Sequence, residues 1–319
     1  MDSSTPVLEK RKETRKPQAR VATHRATCDV PGPIVFLPAV ERGVAWQRFL
    51  KSRAAVVAAG YALLLVVCCV AAPVLSPHPV DTIDLSVQLQ APSASHPLGT
   101  DDLGRDVLVR IFYGGRTSLS VAILAVLFAV VFGVSVGSIA GYFGGHLDGW
   151  IMRLADLALS IPVFLVILLV SSIVHPTILV LSALIGATQW IEVARVVRAV
   201  VIKARNDTFV EAAQAIGVPP WRILLLHILP HTGRPVLVAS TVTLSYVVIM
   251  ESSMSFLGFG VQPPTASWGV MLQNAQTHLG YAPWLAIFPG LMIFMTVLCF
   301  HVLSDHAGAS LAPDSTLRH

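Results

Sequence analysis

Residues 208–230 read TFVEAAQAIGVPPWRILLLHILP, a partly polar stretch that lies between two long hydrophobic runs. Thr208 and Glu211 have the spacing of a capping box, which predicts a helix that begins at Thr208. Gly217 follows good helix formers and is placed as the residue that ends this helix in a left-handed conformation. The segment therefore has its own predicted structure beside the membrane, which favours a docking surface for a partner. An ordinary interfacial loop is the alternative.

The second half of this stretch predicts another helix. Two consecutive prolines at 219 and 220 suit a helix start, because proline is tolerated in the first turn. An apolar helix is then expected from Trp221 to Leu229, closed by Pro230. The predicted design is thus a helix, a glycine bend and a second helix.

The composition of the chain is that of an integral membrane protein. Of its 319 residues, 54% are hydrophobic and 13% are charged, whereas soluble domains carry about 25% charged residues. The net charge of +4 does not indicate nucleic-acid binding, because the basic residues are segregated by loop. The four cysteines lack the spacing of a metal site, and no metal or other cofactor is expected in the chain.

Four apolar runs are long enough to be membrane spans. Two weaker runs, the short 177–190 and 235–259 with Glu251 inside it, are counted with them, so the predicted fold class is an all-α membrane protein with six transmembrane helices. Pro162 predicts a kink in the third span. Residues 1–45 are expected to be a disordered cytoplasmic tail, residues 46–305 the membrane domain with a loop at 206–230, and residues 306–319 a cytoplasmic tail. The predicted spans are about 54–75, 118–141, 154–174, 177–198, 235–259 and 284–303.

The loops also give an orientation. The N-terminal tail and the segment 193–235 are rich in Lys and Arg, while the segments around 172–177 and 260–283 carry neither. Six spans with the N-terminus inside place every strongly basic segment in the cytoplasm. Both termini and residues 208–230 are therefore predicted to be cytoplasmic.

Two groups of ionisable residues allow more than one interpretation. Glu251 lies within a predicted span, so it is a candidate pathway or gating residue, or it pairs with a neighbouring helix. Glu192 is expected to pair with Arg195 at the membrane edge.

A further group could suggest a divalent metal site, but Asp101 is expected instead to cap a helix that begins near Leu103. This group consists of His96, Asp101, Asp102 and Asp106.

Several blocks of sequence resemble one family of transport subunits. Residues 211–213 (EAA), Gly217 and residues 227–230 (HILP) have the order and spacing of the EAA loop of ABC-importer permeases. Further blocks resemble the C-type permease subunit of dipeptide, oligopeptide and nickel importers. These are HPLGTDDLGRD at 96–106, GYFGG at 141–145 with Asp148, SFLGFGVQPP at 255–264 and PWLAIFPG at 283–290. The resemblance covers about residues 48–305.

The resemblance implies a type I ABC-importer permease fold, in which the EAA loop forms a coupling helix that docks on an ATPase subunit. The implied partners are a homologous B-type permease, two ABC ATPases and an extracytoplasmic substrate-binding protein, with membrane lipid around the spans. ATP and Mg would be bound by the ATPases, since this chain lacks a GxxxxGK[ST] motif and is not expected to be an enzyme. The implied coupling residues are Glu211, Ala212, Ala213, Gly217, His227, Leu229 and Pro230.

The implied activity is ATP-driven uptake of peptides by alternating access across the bacterial cytoplasmic membrane. Nickel, glutathione or haem-like cargo are alternatives within the same machinery. A stand-alone secondary transporter or channel and a degenerate, non-transporting scaffold are alternatives of another class. The chain departs from the family at His231, where Asn is usual, at Leu226, where Arg is usual, and in its C-terminal stretch.

Overall fold

A computed structural model describes residues 50–75, 82–174, 176–262 and 264–311 of the chain. These residues form helices and loops and contain no β-strand, so the predicted all-α fold class is confirmed. The first five named helices are α1 (Arg53–Leu75), α2 (Val107–Phe143), α3 (Gly145–Leu159), α4 (Val163–Ile173) and α5 (Ile178–Arg205). The other four are α6 (Thr208–Ala215), α7 (Leu229–Phe256), α8 (Trp268–Ala275) and α9 (Trp284–Leu311).

Five helical stretches of the described chain are long and apolar enough to cross a membrane, and a bent pair makes a sixth if it counts as one span. The five stretches are Arg53–Val74, Val107–Phe143, Ile178–Arg205, Pro220–Phe256 and Trp284–Gly308. The bent pair is α3 with α4, whose axes differ by 73°. Several of these helices extend beyond the predicted spans, because hydropathy alone does not register the polar turns at helix ends.

The predicted third span, 154–174, is not a straight helix. Helix α3 ends at Leu159, and α4 begins after Pro162, whose backbone is non-helical with φ −56° and ψ 113°. Proline cannot donate the hydrogen bond that would continue α3, so the chain restarts in a new direction. The kink predicted at Pro162 is confirmed as a break between two helices.

Helices α2 and α5 pack closely because glycines line their contact. A Cβ atom at Gly133 would lie 2.7 Å from the carbonyl oxygen of Trp190, and one at Gly141 would lie 2.9 Å from that of Arg198. Gly137 faces the backbone of Ala194 in the same way. Glycines at every fourth position let two helix backbones approach, as in other membrane helix pairs. This pair forms the central support for the segment that follows α5.

At the other end of α2, the helix begins later than predicted. Asp106, not Asp101, is the N-cap, and its side chain accepts hydrogen bonds from the backbone N–H groups of Leu108 and Val109. The expectation of a helix near Leu103 capped by Asp101 was therefore wrong. Asp101 instead accepts from the backbone N–H groups of Leu103 and Arg105 and stabilises a turn.

Parts of the predicted tails lie outside the described residues. This holds for all of residues 1–45 and for residues 312–319. The beginning of the predicted C-terminal tail is helical, because α9 continues to Leu311, past the predicted end of the span at residue 303.

Candidate functional site

Helix α6 opens the candidate site and starts one residue later than the predicted cap. Thr208 is the first helical residue, and Asp207 is the N-cap, with extended φ −82° and ψ 149°. The Asp207 carbonyl oxygen accepts from the N–H groups of Val210 and Glu211, and its side chain makes no capping bond. The predicted capping box between Thr208 and Glu211 was therefore wrong. The Glu211 carboxylate is exposed to solvent instead.

The predicted glycine stop is confirmed in detail. Gly217 has φ +81°, a conformation that residues with a Cβ atom rarely adopt. Its N–H donates to the Gln214 carbonyl at 2.9 Å, and the N–H of Val218 donates to the Ala213 carbonyl at 3.0 Å. This pair of bonds is the Schellman motif, which satisfies the last carbonyls of a helix. The space around Gly217 is open, so its requirement for glycine comes from the backbone angle alone.

The second helix of the site does not end at Pro230, contrary to the prediction. Pro219 is the N-cap of a single turn, Pro220–Arg222, which continues as a π-helix from Ile223 to Ile228 and then as α7. The Leu229 N–H donates to the Leu224 carbonyl, a wider i to i−5 bond. A π-turn relieves the clash that proline causes with the preceding helical turn. The site is thus joined to α7 without a break.

One face of this segment is buried against the spans. Val210, Ala213, Ile223, Leu224 and Ile228 belong to an apolar cluster. The cluster also contains residues of α2 and α5, which are Tyr142, Val193, Val197, Val201 and Ala204. The rings of Phe209 on α6 and His231 on α7 stack with centroids 5.3 Å apart. Residues 208–230 are therefore fixed to α2, α5 and α7 through this buried face, called here the inner face.

The opposite face is exposed and mainly apolar; we call it the outer face. Ile216 is 80% exposed and Trp221 is 62% exposed, which is unusual for large apolar side chains in a folded segment. Its other members are the remaining exposed residues of the segment, which are Thr208, Glu211, Ala212, Gln214, Ala215, Gly217, Pro219, Pro220, Arg222, Leu225, Leu226, His227 and Pro230. Of the predicted coupling residues, Ala213 is buried and Leu229 is half-buried, so the structure does not bring all of them to one surface.

Two ion pairs connect α3 to α5 near the site, and sequence reasoning missed both. The Arg198 guanidinium donates to the two carboxylate oxygens of Asp148 at 2.5 and 2.6 Å. Arg195 donates to Asp156 at 2.8 Å and is 3.9 Å from the predicted partner Glu192. A bidentate arginine–carboxylate pair fixes orientation as well as distance. In the sequence, only the acidic residues Asp148 and Asp156 could have indicated these pairs. Their arginine partners are about forty to fifty residues away, so spacing along one helix could not identify them.

Glu251 lies at the other end of α7, fully buried. Its carboxylate accepts a hydrogen bond from the Ser255 hydroxyl at 2.7 Å and a longer one, 3.4 Å, from Ser252. The hydroxyls of Ser118 on α2 and Ser267 before α8 lie beside the same carboxylate. The two measured bonds come from serines of α7 itself, and a pathway or gating role of Glu251 stays a prediction.

The acidic segment before α2 is held by bonds within itself. His96 and Asp106 are 2.9 Å apart, and the Arg105 guanidinium donates to Asp101 at 2.7 Å. The described residues contain no group of three or more His, Cys, Asp or Glu side chains that could hold a metal ion. In the same segment, hydrogen bonds from Ser86 hold the pKa of the Asp84 carboxyl below its usual range.

Comparison with known proteins matches two families. Residues 133–312 match the inner membrane component of binding-protein-dependent transport systems. Residues 43–92 match the N-terminal transmembrane domain of oligopeptide transport permease C.

Individual relatives match over most of their length. The dipeptide transport system permease protein of Bacillus subtilis is 37% identical over 270 residues, 84% of each chain. The oligopeptide transport system permease protein of Escherichia coli K12 is 38% identical over 280 residues, covering 86% of this chain and 93% of the relative. A glutathione transport system permease protein of Salmonella typhimurium is 38% identical over 269 residues, 84% and 89% of the two chains.

Proposed function

The chain belongs to the family of inner membrane components of binding-protein-dependent transport systems, and we propose that residues 208–230 couple it to separate ATPase subunits. It is a multi-pass inner-membrane protein and the permease subunit of a peptide-type ABC importer. It is thus a transport component. The EAA-like order of residues and the geometry of the site support the coupling role.

The observation that carries the proposal is the division of residues 208–230 into two faces. The inner face is continuous with the packing of α2, α5 and α7, so a force on the segment is passed to these helices. The outer face exposes Ile216 and Trp221 as well as the small side chain of Ala212, which lets a partner approach the helix backbone. An exposed apolar patch of this kind is typical of a protein–protein contact.

Individual residues then take different roles in the coupling. Glu211, Ala212 and Gly217 would contact or shape the docked surface directly, together with His227 and Pro230. Ala213 and Leu229 would act from the inner side by holding the segment to the spans. The Schellman motif at Gly217 fixes the angle between α6 and the turn at 220–222, which supports a rigid coupling unit.

The complete importer would contain a homologous B-type permease, two ABC ATPases and an extracytoplasmic substrate-binding protein. ATP and Mg would bind to the ATPases, and closure of these subunits would move residues 208–230 and the attached spans as rigid bodies. The basic residues of the segment 193–235 support a cytoplasmic position for it, and with it cytoplasmic termini.

Peptides are the substrate class that we propose for the translocation pathway. Two of the relatives above are named for dipeptides and oligopeptides, and a third is named for glutathione, itself a tripeptide. Nickel and haem-like cargo are not better supported than peptides by the named relatives. A stand-alone transporter would use Glu251 as an intramembrane relay, but this side chain is fully buried among serine hydroxyls.

Replacement of Gly217 by valine tests the coupling proposal. A β-branched residue at φ +81° costs about 1–3 kcal/mol, and the turn is expected to shift rather than absorb this strain. In the reconstituted importer, we expect both peptide uptake and substrate-stimulated ATP hydrolysis to fall severalfold, because a shifted turn moves α6 relative to the turn at 220–222. The assembly of the membrane subunits should be unchanged.

Gly60→Val is the matched control, because Gly60 lies on α1 with open space around it and an ordinary helical conformation. This control variant should transport normally. Unchanged uptake and unchanged ATPase stimulation in Gly217→Val would contradict the proposal.

A further inference from the structure

We propose that Glu251 is a positioning residue that fixes helix α8 to helices α2 and α7, so that α8 moves with these spans during transport. The effect of this attachment on transport rests on the proposed function, whereas the attachment of α8 itself does not. The group formed by Glu251 with Ser118, Ser252, Ser255 and Ser267 is called here the α8 anchor.

The carboxylate is the centre of this group. Glu251 is 0% exposed; Ser252 and Ser255 donate to its carboxylate, and the hydroxyls of Ser118 and Ser267 lie beside it. Ser252 and Ser255 belong to α7 itself, whereas Ser118 comes from α2 and Ser267 from the residue before α8. A buried carboxylate is tolerated only when such donors replace water, so this arrangement is a built feature of the fold.

Two of these hydroxyls also hold the first turn of α8. Ser267 is the N-cap of α8, and its hydroxyl oxygen accepts from the N–H of Val270 at 3.3 Å. The Ser118 hydroxyl oxygen accepts from the N–H of Trp268 at 3.3 Å. Each hydroxyl therefore has its one proton left to donate to Glu251. Loss of the carboxylate would leave these donors buried without an acceptor, a costly state that favours opening of the group.

The packing around the anchor leaves little room for α8 to shift by itself. A Cβ atom on Gly114 would lie 3.2 Å from the backbone of Ser267, and one on Gly115 would lie 2.8 Å from the ring of Trp268. The Trp268 indole N–H donates to the Ile111 carbonyl at 3.0 Å. Helix α8 thus packs tightly between α2 and α7, and the Glu251 carboxylate is the polar group at this otherwise close contact.

The anchor lies at the opposite end of α7 from residues 208–230. Helix α7 begins at Leu229, directly after the π-helix of the coupling segment, and Glu251 lies in its last two turns. Beyond the anchor, Met271 and Ala275 of α8 join an apolar cluster with Leu89 and Leu98 of the loop before α2. A movement of α7 would therefore reach α8, and through it this loop, without a flexible joint.

Thiol labelling measures the attachment of α8 directly. Ala275 is 1% exposed and borders a small cavity with room for a thiol. We would introduce Ala275→Cys into the full chain, expressed with its importer partners, after replacing the four native cysteines by alanine. A water-soluble maleimide is added to permeabilised membranes, so both membrane surfaces are accessible. In the parent protein the thiol should react slowly.

Glu251→Leu should raise the labelling rate at position 275 about tenfold or more, since unsatisfied buried donors favour local opening. Glu251→Gln keeps the shape and one acceptor oxygen, whereas its amide nitrogen can only donate, so the labelling rate should lie between those of the parent and of Glu251→Leu. Ser255→Ala removes only the shortest bond and should give an intermediate rate, and it provides the test if Glu251→Leu does not assemble. Glu192→Leu is the matched control, because Glu192 is an exposed acid on α5.

An unchanged labelling rate in both Glu251→Leu and Ser255→Ala would overturn the proposal. So would a Glu251→Gln variant that is labelled as fast as Glu251→Leu, because the acceptor oxygen that the amide keeps would then hold none of the hydroxyls. The measurement needs neither ATP nor peptide, so it stands even if the coupling role of residues 208–230 fails. Peptide uptake by Glu251→Leu then tests whether the attached α8 matters for transport, and we expect uptake to fall severalfold.

Discussion

Ala212 lies exposed on helix α6, and the next side chain, Ala213, is 6% exposed and packed in the apolar cluster below the helix. Adjacent positions on a helix point about 100° apart, so one can serve a partner while the other serves the fold. Sequence reasoning treated the two alanines as one feature, because their type and their order agree with the EAA pattern. Only the packing of α6 on α5 separates their roles.

Leucine substitutions at these two positions should therefore have different effects. Ala212→Leu should reduce co-purification of the ATPase subunits without changing the thermal stability of the permease, because the added side chain lies on the outer face. Ala213→Leu should destabilise the permease itself by about 1–3 kcal/mol through overpacking. Equal losses of stability in the two variants would contradict the assignment of the two faces.

At the scale of elements, the apolar runs predicted long apolar helices, but not how these helices begin, break and join. The predictions of a capping box at Thr208 and of a helix end at Pro230 were both wrong. Each rested on one short residue pattern. In the structure, Asp207 is the N-cap, and a π-helix leads into α7, which contains Pro230. The stop at Gly217 was predictable, because a left-handed turn depends on that residue alone.

The packing of α2 on α5 carries a prediction at the same scale. A leucine at Gly137 would meet the backbone of Ala194, which cannot move as a side chain can. We expect Gly137→Leu to destabilise the folded permease by about 3 kcal/mol or more. Thermal unfolding of the purified permease complex measures this loss. Gly60→Leu, at an open position on α1, should unfold like the parent, and a stable Gly137→Leu variant would show that the two helices are not packed as described.

At the scale of the whole molecule, the sequence was sufficient for the fold class and for the family, since both depend on long apolar runs and on blocks of residues in order. The contacts between distant residues could not be predicted. Glu251 is the clearest example. Of the hydroxyls beside it, Ser118 is more than one hundred residues away in sequence, and Ser267 lies beyond the loop that follows α7. The ion pair of Asp148 with Arg198 is a second example.

The molecule also has two ends with different properties, joined by α7. One end presents the exposed outer face of residues 208–230, and the other holds α8 between α2 and α7 around a buried carboxylate. On the proposed function, a docked ATPase would act through α7 on the end that holds α8, and the outer face would be the ATPase contact.

Photo-cross-linking in the assembled importer tests this claim most directly. A photoreactive amino acid is placed at Ala212 on the outer face, and in a separate variant at Tyr281, which is 60% exposed in the loop between α8 and α9. If the outer face is the ATPase contact, position 212 forms a covalent adduct with an ATPase subunit, with a yield that changes when ATP is added, and position 281 forms none. Absence of an ATPase adduct from position 212 in an importer that transports peptide, or an equal adduct from position 281, would show that the outer face is not this contact.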